Sequence, residues 1–475
     1  MFMAVCQTAG RMLPSALRHR LSPLVGMLVA ALTEHDPKNT ARRMALVAFA
    51  IRILSAAIAF LSQIILARLM GEFEYGIFVF VWVLVILFGN LSCVGFHSAV
   101  IRFLPEYQVA AALDEIRGLT TTARIFALVS ASTLALVGFL GLWLFAERIE
   151  GYYLVPLYLG LFILPMIALG DVMDGTARAH GWPLSAMSPT FIIRPLLVLA
   201  FMVLATTMGA PHTARTAMAA AIAAVYATTI SQFLVLTWRL RSRYVRGPLR
   251  IEMGRWLTVA VPIFLIDGFG FLLTNSDVVI VGCYLKPEDV AVYFAAAKTM
   301  ALVHFVMFSV KAAAGPRIAG AMAANDRRQL AEIAIESARW AFWPSLMLGA
   351  IVLAAGPILL SLFGPAFVGG WPLMAILFAG IMAKAFIGPA EILLTMAGQQ
   401  TLCVILYAGA LVANLALNLS LIPLFGLIGA AFATAGAMFV EAMLLHFAVR
   451  RTFGFALSAF ASGRSDHDNN GAIHP

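Results

Sequence analysis

Charged side chains are scarce in this chain. Only 12% of its 475 residues are charged, 62% are hydrophobic, and mean hydropathy is +0.93. A soluble domain carries roughly a quarter charged residues, so a water-soluble globule is excluded. Cysteine is also rare: Cys6, Cys93, Cys283 and Cys403 stand far apart, with no CxxC or Cys/His spacing. That excludes zinc-ribbon and dithiol redox motifs. No P-loop, GxSxG or HExxH occurs, which argues against an enzyme and against ATP hydrolysis by the chain itself. Energy for any transport then has to come from a gradient or from the substrate. No metal or organic cofactor is expected, and coupling to Na+ or H+ is left open.

What the chain does contain is long apolar runs. A helical crossing takes about 20 mostly apolar residues. About twelve such runs lie near 44–67, 77–101, 120–146, 153–176, 185–209, 216–238, 256–282, 289–312, 339–363, 371–396, 401–422 and 427–449. Their length and their Leu, Ala, Gly and Met content do not suit barrel strands, which alternate over about 10 residues. The fold class that follows is an all-α polytopic membrane protein with about 12 transmembrane helices.

Lysine and arginine orient it. With the N-terminus in the cytoplasm, the cytoplasmic segments hold 24 of the 32 basic residues, and the opposite side keeps Arg68, Arg148, Arg215 and Lys286. This positive-inside bias predicts that both termini are cytoplasmic. The net charge of +9 then reflects the bias and attraction to anionic lipid, with no nucleic-acid surface implied. Residues 1–43 read as a cytoplasmic extension, whose short apolar patch Leu21–Leu32 is interrupted by Pro23 and Gly26. The stretch 451–475 reads as a cytoplasmic tail, disordered from Ser462.

Two junctions repeat. Leu69-Met70-Gly71-Glu72-Phe73-Glu74-Tyr75-Gly76-Ile77-Phe78 lies between apolar runs in the first half, and Tyr284-Leu285-Lys286-Pro287-Glu288-Asp289-Val290-Ala291-Val292-Tyr293 does so in the second, 215 positions on. A second pair agrees. Pro105-Glu106-Tyr107 leading to Asp114-Glu115 answers to Pro316-Arg317-Ile318 leading to Asp326-Arg327-Arg328, at an offset of 211. Such a repeat predicts two parallel copies of six helices, 44–238 and 256–450, joined by a basic linker over 239–255. Glu74 and Asp289 fall at matching helix starts, where a carboxylate favours the N-terminal dipole.

Ionisable groups inside the runs mark function by default, because a charge at mid-bilayer costs at least a few kcal/mol unless it faces protein or water. Arg52, Arg194, Lys298 and Lys384 are the basic ones. Together they would line a cationic cavity for an anionic substrate, with Arg forks suited to phosphate oxygens. Asp267, Glu391, Glu441 and His304 are coupling or pairing candidates, with Glu391 two turns after Lys384 on one helix face. The alternative is internal pairing, for example Lys384 with Glu391 or Lys298 with Asp267, which would only fix packing. Asp171 and Asp174 read as a polar helix end, Asn414 and Asn418 as interhelical glue. His97 reads as a packing residue, and Asp277 as a cap or local pair. Pro165, Pro195, Pro262, Pro357 and Pro389 mark kinks.

Two stretches carry a family resemblance: Ala67-Arg68-Leu69-Met70-Gly71-Glu72-Phe73-Glu74-Tyr75-Gly76 and Ala99-Val100-Ile101-Arg102-Phe103-Leu104-Pro105-Glu106-Tyr107. With Leu362-Phe363-Gly364-Pro365-Ala366-Phe367 and Gly426-Leu427-Ile428-Gly429, the chain resembles the polysaccharide (O-antigen type) flippases of the multidrug/oligosaccharidyl-lipid/polysaccharide exporter (MOP) superfamily, over about 44–450. The resemblance implies two six-helix lobes in a MATE-like V and alternating access. It implies export of a polyprenyl-pyrophosphate-linked oligosaccharide for O-antigen, exopolysaccharide or capsule, beside a polysaccharide polymerase and a chain-length regulator. It also implies a cationic central cavity, into which Arg52, Arg194, Lys298 and Lys384 would fall. A cation-coupled multidrug exporter and a lipid II flippase are alternatives on the same fold. A membrane glycan polymerase or ligase would need a larger external loop than the roughly ten residues available here.

Overall fold

The structure, a computed structural model, describes residues 37–324 and 326–461, with side chains from Leu54 onward. The extension over 1–36, the tail beyond 461 and the side chain of Arg52 lie outside the described residues. Every regular element among the described residues is helical.

Ten helices are long and apolar enough to cross a bilayer. Two of them are broken in the middle and hold two crossings each. Pro37–Ser92 runs for 56 residues with a break at Gly71 (φ 75°, ψ 171°). Gln400–Phe453 runs for 54 residues with a break at Gly426 (φ 58°, ψ −135°). A straight helix of that length would reach about 80 Å, far beyond a hydrocarbon core of about 30 Å. Glycine reverses the chain at positive φ without steric cost. The two breaks bring the crossings to twelve, as the apolar runs predict. The intervening spans are Leu113–Leu144 (third), Gly151–Ala179 (fourth), Pro183–Thr207 (fifth), Ala214–Arg243 (sixth), Met253–Tyr284 (seventh), Pro287–Ala323 (eighth), Arg327–Ala354 (ninth) and Pro365–Ile387 (tenth). The second span continues past its own break into Phe96–Val109.

The first six spans pack mainly on one another, as do the last six. The two bundles are joined where the chain turns at Gly71 and at Leu285–Lys286. There the second span lies along the start of the eighth. A Cβ at Gly76 would overlap the Pro287 carbonyl, so the backbones touch. Arg68 donates from Nε to the Leu362 carbonyl (2.7 Å) and from Nη2 to the Ser361 carbonyl (2.6 Å). On this side the buried core is one continuous cluster, with Tyr75 and Phe78 from one half and Tyr293, Phe363 and Phe367 from the other. On the opposite side the core divides. One part gathers around Phe96, Leu119 and Trp256, another around Ile318, Leu330 and Leu393. Two arms closed at one end and separate at the other form a V. The seventh span bridges them: Gly268 and Gly282 pack against Leu91 and Phe80 of the second, while Ser276 and Asp277 meet Asn414 of the eleventh and Thr434 of the twelfth.

The second junction pair also recurs in the structure. Phe96–Val109 turns into Leu113–Leu144, and the eighth span turns into Arg327–Ala354, where the Asp326 carboxylate accepts from the Gln329 amide (2.9 Å). Some expectations need correction. The ninth span starts near 327 rather than 339, because its polar first turns are helical and bury Leu330, Ile333 and Ala334 on one face. Pro357 lies outside any crossing, at the start of the short helix Gly356–Ser361, where a proline costs no hydrogen bond. Glu74 serves a different helix from its own: its Oε2 accepts from the Ala214 amide (2.7 Å) and caps the sixth span.

Candidate functional site

A cavity of about 680 Å³ opens within the second bundle, walled by the seventh, eighth, tenth, eleventh and twelfth spans and closed off by Asn90 and His97 of the second. Six of the residues singled out from sequence reach it: Lys298, Lys384, Asp267, Glu391, Glu441 and His304. Lys298 is eleven residues into the eighth span, which begins at Pro287, and Lys384 thirteen beyond Trp371 in the tenth. At 1.5 Å per residue both sit roughly 17–20 Å along their helices, a depth that falls within a hydrocarbon core of about 30 Å.

The lysines differ in their neighbours. Lys384 Nζ lies 2.8 Å from Glu441 Oε1 and 3.0 Å from Oε2, in the twelfth span. Lys298 has no ion pair among the described residues and stands over the Phe294 ring at 5.1 Å, a cation–π contact that neutralises nothing. The pairs suggested by sequence are not the pairs formed. Glu391 leaves the face of Lys384 because the helix stops at Ile387 and Gly388 (φ 57°, ψ −131°) turns the chain before Ala390–Met396. Glu391 binds Lys311 of the eighth span instead (2.6 Å). Asp267 meets His97 (3.6 Å) and accepts from the Ser98 hydroxyl (3.1 Å) rather than meeting Lys298. Lys311 is the residue the sequence reading missed, counted there among loop cations. Its signal was the two-turn spacing from His304, which puts both on one face of one helix.

His97 reaches the cavity through a local irregularity. The second span unwinds between Ser92 and Phe96, with Val94 at φ 45° and Gly95 at φ 75°. A side chain at Gly95 would collide with the Ala260 carbonyl of the seventh span. The turn lets the two backbones meet and sets His97 and Ser98 opposite Asp267. His97 is therefore a bridge between the bundles rather than a simple packing residue.

Asp277 caps nothing at a surface. It is buried, and it accepts from the Tyr293 hydroxyl (2.8 Å) and the Val278 amide (2.8 Å). Tyr293 in turn meets Thr434 (2.9 Å), while Ser276 donates to Asn414 and Asn418 donates to the Asn414 side chain and carbonyl. This network ties the seventh, eighth, eleventh and twelfth spans; Asn414 acts as the interhelical glue expected of it, whereas among the described residues Asn418 bonds only within its own helix, to Asn414.

Arg194 belongs elsewhere. It is 6% exposed, packs beside Gly170 of the fourth span, and does not line the cavity. The fifth span carries it into the first bundle, just after a wide π-helical turn at Pro189–Ile193. Nearby, Asp174 is buried and accepts from Gln232 Nε2 (2.5 Å) and Thr190 Oγ1 (3.0 Å), and Asp171 accepts from Asn90 (3.3 Å). The acid pair is thus part of a buried polar cluster, not a solvated helix end. With Arg194 elsewhere, the described cavity wall holds two lysines against four acids (Asp267, Asp277, Glu391, Glu441). By this count the described wall is acidic rather than the cationic lining expected, because Arg194 faces the first bundle and Asp277 joins Asp267, Glu391 and Glu441 around the two lysines.

Comparison with known proteins agrees with this architecture. Residues 42–322, more than half of the chain, match the family described as polysaccharide biosynthesis protein, and residues 262–420 match MatE. No curated sequence matches significantly. Among solved structures, an inward-facing multidrug resistance MATE transporter of the MOP superfamily aligns with TM-score 0.69 at 16% identity, covering 84% of this chain and 94% of that one. The lipid II flippase MurJ in an inward closed conformation aligns with TM-score 0.67 at 14% identity, covering 85% and 87%. A MOP transporter from Pyrococcus furiosus, described as having a binding pocket of reverse polarity, aligns with TM-score 0.62 at 17% identity, covering 90% and 97%. The chain belongs to the polysaccharide biosynthesis protein family and carries the fold of the MOP superfamily transporters.

Proposed function

We propose that this protein flips a polyprenyl-pyrophosphate-linked oligosaccharide across the bacterial inner membrane by alternating access, for O-antigen, exopolysaccharide or capsule assembly. The observation that carries the reading is the placement of Lys298 and Lys384, from two membrane-crossing helices, in one cavity. Ammonium groups there replace the hydration of a pyrophosphate that would otherwise meet hydrocarbon. The polyprenyl tail stays in lipid between the arms. The positive-inside bias supports an orientation with both termini in the cytoplasm and the joined end of the V outside. A polysaccharide polymerase and a chain-length regulator are the partners this reading implies, and a Na+ or H+ gradient the energy source.

The test is translocation in reconstituted vesicles of a fluorescent polyprenyl-pyrophosphate sugar. Lys298→Ala and Lys384→Ala are each expected to lower the rate at least tenfold with protein levels unchanged. Full activity in both variants overturns the reading. One observation favours a rival, a cation-coupled drug exporter: the four carboxylates on the cavity wall. That rival requires a cationic dye to be extruded and the two lysine variants to remain active.

A further inference from the structure

The proposed site contains its own competing anion. Lys384 holds both oxygens of Glu441, which is buried on the twelfth span. Every other acid on the described wall has a second partner that does not depend on Lys384. Glu391 has Lys311, Asp267 has His97 and Ser98, and Asp277 has Tyr293 and the Val278 amide. Glu441 has Lys384 alone among the described residues.

Resting on the pyrophosphate reading above, we propose that Glu441 is an exchangeable guard on Lys384, so that the anionic head group binds by displacing the carboxylate, which then takes up a proton. Lys298, unpaired over Phe294, makes the first contact. The incoming phosphate oxygens then take Lys384 from Glu441. That leaves a buried carboxylate without a counter-charge, a state too costly to persist in a low-dielectric wall. The cavity is the route by which water and a proton reach it. The exchange balances: the ammonium keeps its three protons and changes partner, and one proton from the aqueous phase converts Glu441 to the neutral acid. Releasing the head group on the other side reverses both steps. Head group and proton are therefore taken up together, one displacing Glu441 from Lys384 and the other neutralising it, and this gives the family fold a coupling point inside the substrate site.

Other ionisable groups facing this pair leave the assignment intact. From the second span comes His97, from the seventh Asp267 and Asp277, from the eighth Lys298 and His304, and from the eleventh Tyr407, beside Glu391. The ninth span, packed behind, spends Glu332 on Arg328, Glu336 on Arg317, and Arg339 on the carbonyls of Ala459 and Ala461. His446, below Glu441 on the twelfth span, is held by the Leu457 carbonyl (2.8 Å).

The test is equilibrium binding of a farnesyl-pyrophosphate-linked N-acetylglucosamine, a diester whose charge is constant over this range, to the full chain in nanodiscs between pH 6 and 8. One proton taken up per head group makes the affinity fall about tenfold for each pH unit of rise. Glu441→Gln is expected to bind about tenfold more tightly at pH 8 and to lose that slope. Lys384→Met/Glu441→Gln, which removes both charges at nearly constant volume, is expected to bind weakly at every pH while remaining folded by thermal melt. If Glu441→Gln keeps wild-type affinity and slope while Lys298→Gln still weakens binding, the guard is wrong and the pyrophosphate reading stands. Absence of any binding of this pyrophosphate-linked sugar at pH 6 overturns both.

Discussion

Replacing Gly76 by alanine is expected to shift the balance between conformations rather than to unfold the protein. The second and eighth spans meet backbone to backbone at this point. An added Cβ would lie 3.1 Å from Pro287 Cα and would overlap the adjoining carbonyl outright. The obstacle is main chain, so no rotamer change relieves it. Overpacking of this kind costs roughly 1–3 kcal/mol, while the helix preference of alanine stabilises the open and closed states alike and leaves their balance untouched. A strain of about 1.5 kcal/mol falls only on the state in which this end of the V is closed. That is roughly a tenfold shift toward states in which it is open. The measurement is a spin-label distance distribution between positions 72 and 286, which flank the contact. Gly141→Ala serves as the control, because nothing lies within 4 Å of its added Cβ. An unchanged distribution in Gly76→Ala, matching that control, would show that the seam is not a rigid closure.

Three further outcomes are expected. Tyr107→Phe strands the buried Trp256 indole, which donates to the Tyr107 oxygen at 3.0 Å, and should lower stability by about 1–2 kcal/mol by thermal melt. The same hydroxyl donates to Glu252 (3.0 Å) and, with Arg255 and Arg250, holds that carboxyl below its usual range. A depressed carboxyl stabilises the folded linker above its unfolded value and loses that contribution as pH falls through the folded one. Protease nicking at 244–252 should therefore rise between pH 5 and pH 3, and Tyr107→Phe should move that rise to higher pH. Glu74→Ala removes the cap on the Ala214 amide and should cost about 1 kcal/mol, seen as faster hydrogen exchange at the start of the sixth span.

The fold was largely legible because the bilayer imposes it. Twelve apolar runs forced twelve crossings, and the repeated junctions at Gly71 and Lys286 announced the two bundles. The ends of the helices were not legible where amphipathic turns extend an apolar run, as at Arg327–Ala338. The site was half legible. An intramembrane lysine or acid is conspicuous, so Lys298, Lys384, Asp267, Glu391, Glu441 and His304 stood out, and all line one cavity. Their pairing was not, because pairing is set by helix rotation and by breaks. Gly388 separates Lys384 from Glu391, and the unwound turn at Val94–Gly95 delivers His97 to Asp267. Arg194 was misplaced for the same reason: hydropathy assigns a residue to a helix but not to the bundle wall it faces.

The seam at Gly76 also bears on how such a chain arose. Its counterpart in the second copy, 215 positions on, is Ala291, which is fully buried with its methyl accommodated. Position 76 has no room for that methyl. The two halves are therefore no longer interchangeable at the point where they touch, and a pair of identical second halves, with alanine at both positions, would not reproduce this joint. Whatever duplication produced the chain, the ancestral symmetry has been broken at its axis, and the fused pair has become committed to its own partner.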